Sequence, residues 1–229
     1  MNKTVSEPEK NLLPIGSTPG GTRRMFLAAF ALVAALLVSF LFARYSAYKT
    51  VQVNYYGQAL VPAKEAFDFH LVDQEGKAFQ LSQLHGKAVL FSFGFTHCPN
   101  VCPTTLSDLA KVYRALPQQD RSKVQVLFVS VDPHRDRPET MKNYIPYFDD
   151  SFIGLTGTET QIAEAAKAYG AYYEIVKDAG QNPDAYSVNH SAFTYLISPD
   201  GKWKLLYNFD QLSDANKMVR DIEQVLAGA

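Results

Sequence analysis

The chain has 229 residues, 47 % of them hydrophobic, with 22 basic side chains against 23 acidic ones. That composition suits one ordinary globular domain with a real core plus an appendage. From Arg44 onward 18 basic residues face 21 acidic ones with no basic stripe, so nucleic acid is not an expected partner.

Residues 1–24 hold Pro8, Pro14, Pro19 and a Gly20-Gly21 pair and read as a flexible cytoplasmic tail. Met25 to Ala43 (MFLAAFALVAALLVSFLFA) is 19 residues with one polar member, Ser39, and no charge. At about 1.5 Å per residue a helix of that length spans the hydrocarbon of a bilayer. A buried core helix seldom lacks charge for so long. A cleaved signal peptide is the rival reading, but the apolar stretch is long for one, and Leu41-Phe42-Ala43-Arg44-Tyr45-Ser46-Ala47 offers no good cleavage site. Thr22-Arg23-Arg24-Met25-Phe26-Leu27 also resembles a twin-arginine export signal. Arg23 and Arg24 face Arg44 and Lys49 across the span, so basic residues alone leave the orientation open. Glu7 and Glu9 disfavour a mitochondrial transit peptide. The expectation is an uncleaved transmembrane anchor over 25–43, a polar and aromatic tether over 44–64, and a domain over 65–229.

From Phe67 the pattern turns regular. Phe67 to Leu71 and Ala78 to Leu81 alternate around Asp73-Gln74-Glu75-Gly76, which predicts a hairpin. Lys87 to Phe95 (KAVLFSFGF) and Val124 to Val131 (VQVLFVSV) read as buried central strands. Between them Pro103 is expected to open a helix with Leu106, Leu109, Val112, Tyr113 and Leu116 on one face, ended by Pro117. Residues 137–148 are partly helical, and Phe152 to Leu155 make a short strand. Thr158 caps a helix that Gly170 closes. Ala192 to Ile197 and Lys202 to Asn208 form a second hairpin, and Ser213 is expected to cap the last helix. Buried strands alternating with helices predict an α/β fold with helices flanking a central mixed sheet. The thioredoxin-like fold, with extra hairpins, fits this order.

The two cysteines stand together in Phe95-Thr96-His97-Cys98-Pro99-Asn100-Val101-Cys102-Pro103. Four residues apart, both sulfurs are expected to point the same way, one helical turn apart. They follow a buried strand and precede a helix N-terminus, whose dipole favours thiolate. Thiolates are soft ligands for copper(I), zinc or iron–sulfur clusters, and the pair can also form a disulfide. A purely structural disulfide would close too short a loop to stabilise much. A metal site needs a third donor from His70, His85, His97, His134 or His190. His70 and His85 read as surface residues, and His97 is expected to point away. His134, after a strand, and His190, before one, remain equal candidates on spacing.

Three motifs carry a resemblance. Gly94 to Pro103 (GFTHCPNVCP), Ser130 to Asp136 (SVDPHRD), and Asn189-His190-Ser191 followed by Tyr195 to Gly201 (YLISPDG) look like the Sco/SenC family, over about residues 60–228. That resemblance implies that Cys98, Cys102 and His190 are the ligands of one copper ion, Cu(I) or Cu(II). It also implies a role as a copper chaperone in assembling the dinuclear copper centre of cytochrome c oxidase. The implied partners are the copper-receiving oxidase subunit and another copper carrier. The cysteine chemistry argues for a domain outside the cytoplasm, on the periplasmic side of a bacterial inner membrane. Asn100 and Asn189 stand where the family usually has Asp, which removes negative charge beside the site. The alternative is an enzyme, a membrane-anchored thiol–disulfide oxidoreductase that keeps the oxidase's copper-ligand cysteines reduced with Cys98 and Cys102 as its redox pair. Such an enzyme would more usually show C-x-x-C, and exchange does not need His190. A third reading is a peroxidase: Val101-Cys102-Pro103-Thr104 resembles peroxiredoxins, but Pro99 stands where that resemblance implies a threonine. Met25, Met141 and Met218 form no copper-carrying cluster.

Overall fold

The computed structural model describes residues 20–49, 54–177 and 186–228. The chain divides into two units, Met1–Asn54 and Tyr55–Ala229. The first unit carries helix α1 (Gly20–Lys49), whose stretch Met25–Arg44 has a mean hydropathy of 2.7 and no buried residue. By length and composition it can cross a membrane.

The second unit runs β1 (Gln58–Glu65), β2 (His70–Asp73), β3 (Ala78–Gln80), β4 (Ala88–Gly94), α2 (Val101–Ala115), α3 (Gln118–Arg121), β5 (Val124–Ser130), α4 (Pro138–Tyr144), β6 (Ile153–Thr156), α5 (Glu159–Ala168), β7 (Tyr173–Lys177), β8 (Tyr186–His190), β9 (Thr194–Ile197), β10 (Lys202–Tyr207) and α6 (Ala215–Ala227). Eight strands make one mixed sheet in the order β1-β10-β9-β4-β5-β6-β2-β3. β4, β5 and β6 are mutually parallel and the other pairs antiparallel. β7 and β8 pair separately. Helices flank the sheet: α2 packs on α6 and β5, and α4 on β6. This is the expected thioredoxin-like architecture.

The continuous apolar runs explain the centre. All seven residues of β4 are buried, and its register with β5 holds from Ala88↔Val124 to Gly94↔Ser130. Phe91 stacks on Tyr195 and meets Tyr169 edge-on, each at 4.8 Å, and Trp203 closes the cluster 5.3 Å from Tyr195. Such pairs add about 0.5–1.5 kcal/mol each beyond the area they bury.

Four local expectations are corrected. Residues 58–64 were expected within the tether, but they belong to β1, paired with β10. It is an edge strand with no side chain buried, so it lacks the alternation that marks a strand in sequence. Its approach is fixed by Asp221, which accepts hydrogen bonds from the Tyr56 and Gly57 amides (2.9 and 2.8 Å) and from the Tyr207 hydroxyl (3.0 Å). α2 begins at Val101, two residues before Pro103, because proline fits anywhere in the first turn. Asp214 rather than Ser213 caps α6, its carboxylate accepting from the Lys217 amide, while Ser213 ends a 3-10 turn. His190 does not simply precede an apolar strand: it ends β8, in a two-stranded sheet that the sequence did not reveal.

Candidate metal centre

β4 and β5 leave the sheet together, with the Val131 amide donating to the Gly94 carbonyl at 2.8 Å. The loop from β4 carries Cys98, and the first turn of α2 carries Cys102. Gly94 makes room for them. A Cβ there would lie 2.7 Å from the Cys102 sulfur and 2.6 Å from the Phe128 ring.

The cysteines are not one helical turn apart. Cys98 lies ahead of the helix, and its Sγ folds back to accept the Cys102 amide at 3.4 Å. The sulfur thus does part of an N-cap's work for a helix whose cap residue, Asn100, makes no side-chain cap bond and whose first turn has no acidic residue. Both cysteines are free, Cys98 half-buried and Cys102 buried. The Cys102 thiol, with further help from the Cys102 and Asn100 amides, holds the Cys98 thiol down at about 4. Its partnership with Cys98, together with burial, pushes the Cys102 thiol far up. The pair is therefore one thiolate and one thiol.

His190 completes the group. Its Nδ1 lies 3.0 Å from the Ser191 carbonyl, which only accepts, so Nδ1 carries the proton. Nε2 then turns a bare lone pair to the Cys102 sulfur at 3.3 Å. The ring packs edge-on against Phe95 at 5.6 Å. The three donor atoms lie within 4.8 Å of one another. Bonds of about 2.0–2.3 Å, typical of thiolate and imidazole ligands, would ask for only a small inward shift. The chemistry of this donor set suits a soft, thiophilic ion, and the cluster offers no carboxylate for a hard one.

The other histidines lie outside the cluster. His97 turns to Thr96 Oγ1 (3.0 Å) and to Asp136 (3.7 Å). His70 bonds Gln80 on the surface, and His85 and His134 are exposed. Spacing left His134 and His190 equal, and the fold brings only His190 to the sulfurs. Asp136 was missed as a supporting residue. Fully buried, it accepts from the Thr96 amide (2.8 Å), Thr96 Oγ1 (2.5 Å) and Ser130 Oγ (2.6 Å), tying the cysteine loop to the loop after β5. The only sequence signal for it was its place in the second motif.

A family model for SCO1/SenC matches residues 58–227. The chain belongs to the SCO1/SenC family. Among SCO1/SenC relatives, mitochondrial protein SCO2 of Saccharomyces cerevisiae is 40 % identical over 157 residues, covering 68 % of this chain and 52 % of its own length. The chain therefore spans about half the length of that relative. The copper-bound structure of ScoI from Bradyrhizobium japonicum is 38 % identical with a TM-score of 0.62, over 70 % of this chain and 99 % of that one. BsSco, in which a disulfide switch is described and which is called a member of the Sco family of cytochrome c oxidase assembly proteins, is 26 % identical with a TM-score of 0.58, over 75 % of this chain and 97 % of that one.

Proposed function

We propose that Cys98, Cys102 and His190 hold one copper ion, as Cu(I) or Cu(II), for delivery to the copper-receiving subunit of a cytochrome c oxidase during assembly of its dinuclear copper centre. The observation that carries this reading is the meeting of two sulfurs and an imidazole nitrogen within 4.8 Å. Two thiolates favour Cu(I), and the imidazole supplies the third donor that Cu(II) needs. Cys98 is already ionised, so loading costs one proton, from Cys102. The half-exposed positions of Cys98 and His190 leave the ion within reach of a partner's ligands. Membership of the SCO1/SenC family and the copper held by the Bradyrhizobium relative support the same reading. Helix α1 anchors the domain to a bacterial inner membrane, with the domain in the periplasm, where another carrier supplies the copper.

One observation favours a second activity at the same residues. A half-exposed thiolate beside a buried thiol is the arrangement that disulfide exchange uses. The Cys98 thiolate would attack a partner disulfide to give a mixed disulfide and release one partner thiolate. Cys102, losing its proton, would then displace the second. The partner gains two electrons and, from Cys102 and solvent, two protons, while Cys98 and Cys102 become a disulfide.

The test is copper titration of the full-length protein in detergent. His190→Ala should weaken Cu(II) binding by at least about a hundredfold and abolish the thiolate-to-copper charge-transfer band. Cu(I) should suffer less, since two thiolates still hold it in linear fashion. His134→Ala should change neither. If His134→Ala removes the band and His190→Ala does not, the ligand assignment is wrong. If neither has an effect, exchange replaces copper carriage as the reading.

A further inference from the structure

His190 sits on a strand that the main sheet does not hold. Among the described residues β7 and β8 pair only with each other, from Tyr173↔His190 to Lys177↔Tyr186. Side chains alternate along a strand. Tyr186, Val188 and His190 turn inward, while Ser187 and Asn189 are exposed. Val188 enters the core, and His190 meets the sulfurs. At the other end of β8 the contact is with Arg135, from the loop after β5.

Arg135 is held from below. Its Nε donates to Asp132 Oδ2 at 2.5 Å, and Asp132 is fully buried, its own amide donating to Ser130 Oγ at 3.0 Å. Arg135 then grips Tyr186 in two ways. Nη1 donates to the Tyr186 carbonyl at 3.0 Å, and the guanidinium lies 3.7 Å from the centre of the Tyr186 ring. The Tyr186 hydroxyl closes the ring of contacts by donating to Asp132 Oδ1 at 2.6 Å. On its other side the guanidinium lies 5.9 Å from the ring of Phe95, which packs on His190. A planar fork that stacks and donates in two directions is a property of arginine that lysine does not share.

We propose that Arg135 is a positioning residue for the metal site: braced by Asp132, it clamps Tyr186 and so sets where β8 presents His190 to Cys98 and Cys102. This rests on His190 being a ligand, and it adds that, once the pairing of β9 with β4 has brought the chain to this end of the sheet, the ligand's final position is set from the loop after β5. Residues that orient a metal ligand without touching the metal change affinity by about 10–100-fold when replaced. The effect here falls on the state that needs the imidazole, Cu(II), more than on Cu(I).

Replacing Arg135 by alanine would leave the buried Asp132 charge unpaired and threaten folding. Two milder variants of the full-length protein in detergent avoid that. Tyr186→Leu removes the ring and hydroxyl and keeps the Arg135–Asp132 pair; Arg135→Lys keeps the charge and loses the fork. Each should weaken Cu(II) binding about tenfold and shift the charge-transfer band, with less than about a threefold change for Cu(I). In a His190→Ala background neither should have any further effect on Cu(II). Independently of metal, the amides of residues 186–190 should exchange with solvent at least about tenfold faster in both variants, with those of β4 and β5 unchanged. The proposal is overturned if both variants keep wild-type Cu(II) affinity, if their losses persist undiminished in the His190→Ala background, or if β8 exchange does not change. If His190→Ala itself leaves copper binding intact, the ligand reading fails first, and the exchange data alone then report whether the clamp holds β8.

Discussion

At the scale of single residues, the site's asymmetry comes first from the hydrogen bond between the two sulfurs and then from where each stands relative to one helix end. Cys98 sits where an N-cap oxygen would and takes the positive end of α2, whereas Cys102 is inside the first turn and shut away from water. The consequence is a pH profile. With its pKa lowered to about 4, metal-free Cys98 should react with iodoacetamide at a nearly constant rate from pH 9 down to about 5, then slow by about tenfold per unit below 4. An ordinary thiol would already slow below about 8.5. Because the folded value is depressed, the thiolate's contribution to stability is complete above the unfolded thiol's pKa and fades as pH falls toward the folded one. Mass spectrometry of alkylated Cys98 peptides checks this, and a rate that falls steadily from pH 8 would reject it. The cysteine pair and its place at a strand–helix junction were readable from the sequence. The capping role was not, because a C-x-x-x-C spacing equally suits two sulfurs on one helical turn.

At the scale of elements, the strands that sequence reading located are those with continuous apolar runs, and those it missed are exposed or short. β1 buries no side chain, and β7 and β8 lie off the main sheet with much of their surface exposed. Such strands are specified by partners distant in sequence rather than by their own pattern. Asp221 is the partner for the approach to β1. It lies on α6 yet accepts from Tyr56, Gly57 and Tyr207, and its acceptor-only carboxylate suits three donors. In Asp221→Asn an amide N–H would face a donor, with a cost of about 3 kcal/mol and a fall in Tm of roughly 6–12 °C. Thermal unfolding followed by circular dichroism measures it, and an unchanged Tm would show that Asp221 does not tie the domain's first strand to its last helix.

At the scale of the whole molecule, a long apolar helix and a folded domain are joined in one chain. In α1 the described side chains of the apolar stretch are exposed, apart from half-buried Ala34. Phe26, Phe30 and Phe42 are each at least 70 % exposed. Apolar surface of that length and composition is what a bilayer would cover. We expect the full-length chain to stay with membranes through a high-salt wash, and protease added to spheroplasts to digest the domain. A freely soluble mature protein beginning near residue 47 would contradict the anchor, and a domain protected in spheroplasts would contradict its periplasmic side.

The sequence by itself determined the central strands, the helices between them, the apolar span and the pairing of cysteines ahead of a helix. Each of these is a local pattern: a run of apolar residues, a capping residue or a fixed spacing. Only the tertiary structure decided between His134 and His190. β9 runs antiparallel to β4, with Ser92 beside Thr194, so the chain just before β9 lies at the end where β4 delivers the cysteines. His134 leaves β5 at that same end but is exposed and outside the ligand cluster. Neither that strand direction nor the clamp of Arg135 on Tyr186, 51 positions away, leaves a periodic trace in the sequence. Both arise from which strands pair and what packs between them, and those are long-range choices made by the folded core.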